Sequence, residues 1–163
     1  MMATLVWLRL ESRQSRNRKE DEIAISKLRR AAIYSVVGFT YEVLFSAAHD
    51  LARGKEVRFR TSPWMFPIYA LVAPLYEPVH DVLRERMPRL ARGAVYGAGF
   101  LAVEYTTGAA LRAWRGEAPW DYTYARYHVN GLIRPDYFFL WAAAGLALEP
   151  LHDRLTARPT PTS

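Results

Sequence analysis

Residues 75–81 read LYEPVHD and residues 148–153 read LEPLHD, so one Glu-Pro-x-His-Asp string occurs twice in a chain of 163 residues. In each copy a histidine follows the glutamate by three positions, as Glu77 with His80 and Glu149 with His152. On a helix that spacing puts both side chains on one face. Two more glutamates, Glu42 and Glu104, stand alone in apolar surroundings. One glutamate from each of two helices, plus Glu-x-x-His from each of two others, is the ligand set of ferritin-like di-metal carboxylate bundles. Glu42, Glu77, His80, Glu104, Glu149 and His152 are therefore candidate ligands for two transition-metal ions. A plainer role is open to each. His80-Asp81 and His152-Asp153 can meet water or cap a last helical turn, and internal glutamates can serve packing through hydrogen bonds.

Four apolar stretches supply the helices that would position these groups: AAIYSVVGFTYEVLFSAA, PWMFPIYALVAPLYEPV, GAVYGAGFLAVEYTTGAAL and LIRPDYFFLWAAAGLALEPL. Each is close to the ~20 residues that a helix needs to cross a ~30 Å hydrocarbon layer. A soluble bundle helix shows polar residues every three or four positions, whereas 31–41 and 93–103 hold no ionisable side chain except tyrosine. Trp64, Trp114, Trp120, Tyr122, Tyr124 and Tyr127 gather at the ends of the stretches, as interfacial aromatics do. The patterning favours an all-α integral membrane four-helix bundle, multi-pass, over a soluble one. The spans are expected at about 31–51, 63–83, 92–112 and 133–153.

The chain has no cysteine, which excludes disulfides and thiolate metal sites. Its net charge is +6, with arginine outnumbering lysine 19 to 3. The basic residues sit in connectors beside apolar stretches, a pattern of membrane topology rather than of nucleic-acid binding. With the amino terminus inside, the inner face holds 14 Lys and Arg and the outer face 8, so both termini are expected in the cytoplasm. Residues 1–30 read as a basic amphipathic segment on the anionic inner leaflet or a partly ordered tail. Residues 156–163 read as a disordered tail. The apolar patch in MMATLVWLRLES is too short for a signal-peptide core, and no processing is expected.

The duplication extends beyond its motif. Pro63, Phe66, Glu77, Pro78, His80 and Asp81 recur 72 residues later, and Gly38-Phe39 with Glu42 recurs as Gly99-Phe100 with Glu104. This pattern suggests a tandem two-helix repeat. Units with an even number of spans point the same way across a bilayer, which gives a pseudo-twofold axis along its normal.

A carboxylate at the bilayer centre costs at least ~2.5 kcal/mol, so such groups face an interior or a cavity. At 1.5 Å per residue, Glu42 and Glu104 fall roughly 16–18 Å from the inner edge and Glu77 and Glu149 about 6–9 Å from it. All four are expected to share one wet cavity between the repeats. Pro78 and Pro150 leave the carbonyls of Pro74 and Leu146 without their helical donors, while GAVYGAG and WAAAGLA are small enough for close helix approach.

GFTYEV (38–43), EYTTG (104–108), PWDY (119–122) and NG (130–131) resemble the putative type IV ABC-transporter permease-like family of small bacterial membrane proteins, to which vertebrate transmembrane protein 229 is similar. The resemblance covers about Ala31 to Leu155. It implies a polytopic protein of the bacterial inner (cell) membrane and a transport component, and it extends to Glu42, Glu77, Glu104 and Glu149 and to Trp120, Asp121 and Tyr122 of an outer loop packed as a lid. His80 and His152 depart from the family pattern, so the resemblance does not imply a di-metal role.

Three functions follow: a transport component moving a cation, proton or small polar solute past the glutamates; a membrane enzyme holding two metal ions and acting on a lipid; or a scaffold or partner subunit whose acids serve packing. No phosphate-cradling Gly-rich loop is present, so ATP-driven work would need a separate ATPase subunit. The expected partners are the lipid bilayer and a second copy or that subunit, with no nucleic acid.

Overall fold

Helix α1 is a single rod, Met2–Ala52, of 51 residues, about 75 Å long at 1.5 Å per residue. The computed structural model describes the backbone of residues 2–52, 54 and 61–156, and the side chains of these except 2–21 and 24. The basic segment before Ala31 thus continues without a break into the first apolar stretch. Thr156 closes the last helix, and the rest of the expected tail, 157–163, lies outside the described residues.

The second apolar stretch is built from three pieces end to end: α2 (Met65–Ala70), a π-helical turn (Val72–Tyr76) and α3 (Glu77–Leu83). Pro67, Pro74 and Pro78 each remove a donor from the ordinary four-residue ladder. At the end of the π turn the Glu77 N–H reaches five residues back to the Val72 carbonyl, the bond that defines a π-bulge. Helix α4 (Arg89–Arg115) ends where Gly116 takes φ 84° and its N–H caps the Arg112 carbonyl, a left-handed turn that glycine adopts without strain. A 3-10 turn, Pro135–Tyr137, leads into α5 (Phe138–Thr156). Among the described residues the chain is all-α, four helical rods without a strand.

Of the four predicted spans, one described helix is long and apolar enough to cross a membrane by length and composition, Ile25–Ala52. The others fall short for physical reasons. The second rod is broken into short pieces, α4 carries Glu104 among glycine, tyrosine and threonine, and the 19 residues of α5 include Glu149, Asp153 and Arg154.

Helix α1 packs along α2 and the π turn, and α4 along α5. Arg30, midway along α1, reaches Glu77 late on the second rod while Glu42, further along α1, meets Tyr69 earlier on that rod, and Arg92, early on α4, reaches Glu149 late on α5. Each pair is therefore antiparallel. The rings of His80 and His152 lie 4.7 Å apart, so the second rods of the two pairs end together and the pairs run the same way. Close approach of α4 and α5 depends on glycine, since a Cβ on Gly145 would stand 2.4 Å from the Tyr96 Cβ.

Ionisable groups share the interior with an apolar cluster that includes Val72, Ala73 and Tyr76, while large apolar side chains stand outside. Ser35, Glu77, His80, Arg92, Glu149 and His152 are buried, whereas Val36, Leu44, Leu90 and Phe139 are exposed.

Candidate functional site

The buried polar residues form two tiers. In the first, Arg30 donates from Nε to Glu77 Oε1 at 2.6 Å and from Nη2 to Oε2 at 2.8 Å. Arg92 grips Glu149 in the same way, at 2.6 and 2.9 Å. These are two-pronged guanidinium–carboxylate pairs, in which planar fork meets planar fork. Around them the repeats exchange partners. His152 of the second unit meets the Tyr34 hydroxyl of the first at 3.1 Å through Nδ1 and Asp81 at 2.9 Å through Nε2. His80 of the first unit meets Tyr96 at 3.1 Å and Asp153 at 3.2 Å of the second. The ion pairs thus close each unit, while the histidines stitch one unit to the other.

The stitching has one asymmetry. Arg84 donates to Glu149 Oε2 at 3.4 Å and to Asp153 Oδ2 at 3.2 Å. The residue 72 positions further on is Thr156, which folds its hydroxyl back onto the His152 carbonyl. Asp153 is therefore shared between a histidine and an arginine, and among the described residues Asp81 has no arginine in the equivalent place.

The second tier lies eight residues further along each first helix, about 12 Å from the tyrosines. Tyr69 donates to Glu42 Oε2 at 3.1 Å, and Trp141 Nε1 donates to Glu104 Oε2 at 3.2 Å. Tyr69 and Trp141 are 72 residues apart, so these contacts are repeat equivalents. Tyr122, from the loop before α5, adds a bond of 2.7 Å to Glu104 Oε1. A cavity of about 350 Å³ runs between the helix pairs, lined by Tyr34, Tyr69, Phe100, Glu104, Trp120 and Trp141 among others. A polar cavity of about 260 Å³ lies beside Glu42, Thr61, Ser62 and Trp120. The Thr61 hydroxyl there is buried without a partner in hydrogen-bonding geometry among the described residues.

The loop residues divide their roles. Trp120 Nε1 donates to the Leu132 carbonyl at 2.8 Å, so the loop folds on itself over α4, where Gly108 leaves room for both side chains. Asp121 accepts from the Thr123 N–H at 2.9 Å and its hydroxyl at 2.8 Å, and these bonds hold its carboxyl below its ordinary range. Burial, then the Glu104 carboxylate, push the Tyr122 phenol up, so Tyr122 remains a donor.

Of the six candidate ligands, Glu77, His80, Glu149 and His152 come together, but Glu42 and Glu104 lie a tier away. The six do not converge on one point, and the two glutamates nearest the histidines are already held by arginine. Neither cavity is lined by Glu77 or Glu149; Glu104 borders one and Glu42 the other. Sequence reasoning passed over Arg30, Tyr34, Arg92 and Tyr96. The signal was present, because Arg30/Arg92 and Tyr34/Tyr96 recur at 62 residues, the offset of Glu42/Glu104.

A model of the family described as "Putative ABC-transporter type IV" matches residues 31–158. No solved structure matches the chain.

Proposed function

We propose, from the premise that this chain belongs to the putative ABC-transporter type IV family, that it is a multi-pass membrane transport component whose Glu42–Glu104 tier takes up a proton or small cation. The contrast between the tiers carries this reading. Glu77 and Glu149 are neutralised in place by arginines, whereas Glu42 and Glu104 accept from neutral donors, Tyr69, Tyr122 and Trp141. Neutral donors orient a carboxylate without cancelling its charge, so each of these groups, at the edge of its own cavity, can attract a cation or hold a proton. Large exposed apolar side chains such as Leu44, Leu90 and Phe139, with Glu77, Arg92 and Glu149 buried, support the membrane setting. ATP-driven transport would draw on a separate ATPase subunit.

Two measurements test the proposal. In proteoliposomes under an imposed pH or potassium gradient, Glu42→Gln and Glu104→Gln should each reduce flux at least about tenfold, while Glu117→Gln leaves it unchanged. Equal flux in wild type and the double variant, with both folded, refutes the reading. The absence of cysteine makes topology simple to map. Glu117→Cys and Glu85→Cys should react with an impermeant maleimide from opposite sides of the membrane, and labelling from one side refutes the multi-pass arrangement.

A further inference from the structure

We propose that His80, His152 and Asp81 form a binding site for one first-row divalent transition-metal ion, with zinc the best fit. One donor atom from each residue lies within 4.8 Å of the others, and the His152 Nε2–Asp81 Oδ1 pair is already at 2.9 Å. A tetrahedral ion with bonds of ~2.0–2.1 Å holds its donors about 3.4 Å apart, so side-chain rotation of about 1.5 Å closes the set. Two imidazoles and one carboxylate suit zinc and leave a fourth position for water. Asp81 is 65% exposed while the histidines are nearly enclosed, which gives an ion a route in from solvent.

The hydrogen-bond chain behind the histidines supplies an independent reason. Tyr96 stands 3.2 Å from Glu149 Oε1, and a carboxylate only accepts, so the hydroxyl proton points at Glu149. Its oxygen is then free to accept the Nδ1–H of His80, 3.1 Å away. In a neutral ring that leaves a bare Nε2 lone pair facing Asp153 Oδ1 at 3.2 Å. That lone pair is the one an ion would take, with the ring turned from Asp153 toward Asp81. The tyrosine–glutamate relay also provides what a metal-bound histidine needs behind it, an acceptor that fixes its tautomer. Arg84 explains why the site uses one aspartate rather than both. It holds Asp153, and its repeat equivalent is a threonine, so Asp81 is the carboxylate left to turn toward an ion. Glu42 and Glu104 take no part, and the proposal stands or falls apart from the transport reading.

The test is zinc binding to the full chain in detergent micelles, after chelator treatment, by competition with a chromophoric zinc indicator and by cobalt substitution. One equivalent per chain is expected, with the visible bands of tetrahedral cobalt. His80→Gln, His152→Gln and Asp81→Asn should each weaken binding by more than the about 10–100-fold expected for Tyr96→Phe, which removes an outer partner. Glu42→Gln with Glu104→Gln should bind as wild type. Asp81 is exposed, so Asp81→Asn keeps the test decisive if the histidine variants do not fold. Zinc binding by wild type no tighter than by folded Asp81→Asn overturns the proposal.

Discussion

Replacing Tyr96 by phenylalanine removes one oxygen from the place where the two repeats are stitched together. That oxygen is 3.1 Å from His80 Nδ1 and 3.2 Å from Glu149 Oε1, and Tyr96 is 3% exposed. Side-chain hydrogen bonds between membrane helices average about 0.6 kcal/mol, with a maximum near 1.7. If Tyr96 contributed one such bond and nothing more, its loss would be barely measurable. The geometry predicts more. His80 is 2% exposed, and a buried nitrogen left without a partner costs about 1–3 kcal/mol. Glu149 loses one donor but keeps both prongs of Arg92, so it adds little. The expected loss is about 2–3 kcal/mol, roughly a 30- to 150-fold shift in the unfolding equilibrium. Reversible unfolding in mixed micelles, followed by far-UV circular dichroism with chelator present, measures it. Repeating Tyr96→Phe in a His80→Leu background removes the orphaned nitrogen, and the cost should fall below about 1 kcal/mol. A cost within about 0.6 kcal/mol of zero in the wild-type background, or the same cost in both, refutes the reasoning.

Other positions give expectations of the same kind. Gly145→Ala puts a Cβ 2.4 Å from the Tyr96 Cβ, a main-chain-proximal atom that cannot swing away, and should cost about 1–3 kcal/mol by the same unfolding assay. Tyr122→Phe deletes the 2.7 Å bond that ties the loop to Glu104, so trypsin should cut after Arg126 several-fold faster while the helices stay intact. The depressed carboxyl of Asp121 contributes order to the loop above its ordinary pKa of about 3.9. That contribution disappears as pH falls through the lower folded value. Proteolysis by an acid protease should therefore rise below about pH 4 in wild type, and Asp121→Asn should flatten the rise.

Much of the bundle was legible in the chain because a repeat writes the same contacts twice. The offset of 72 that joins Glu77 to Glu149 and His80 to His152 also joins Tyr69 to Trp141, the donors to Glu42 and Glu104. The arginines were harder to read. Arg30 and Arg92 stand at the ends of apolar stretches among other basic residues, where topology alone accounts for a positive charge. Nothing local separates an arginine that turns inward from one that meets headgroups. The π turn was half visible, since the prolines announced broken ladder bonds but not which carbonyl the Glu77 N–H would choose.

Taken alone, the order of residues determined the helical stretches, their duplication and the glutamate and histidine types available to a site, because each depends on spacing along the chain. Tertiary packing alone decided that the glutamates fall into two tiers, that arginines cancel one pair and leave the other to neutral donors, and that each histidine answers to the opposite repeat. The reason is geometric. A separation of eight residues is about 12 Å on a helix, too far for one site, and which faces meet across a helix pair is set by where glycine lets backbones approach.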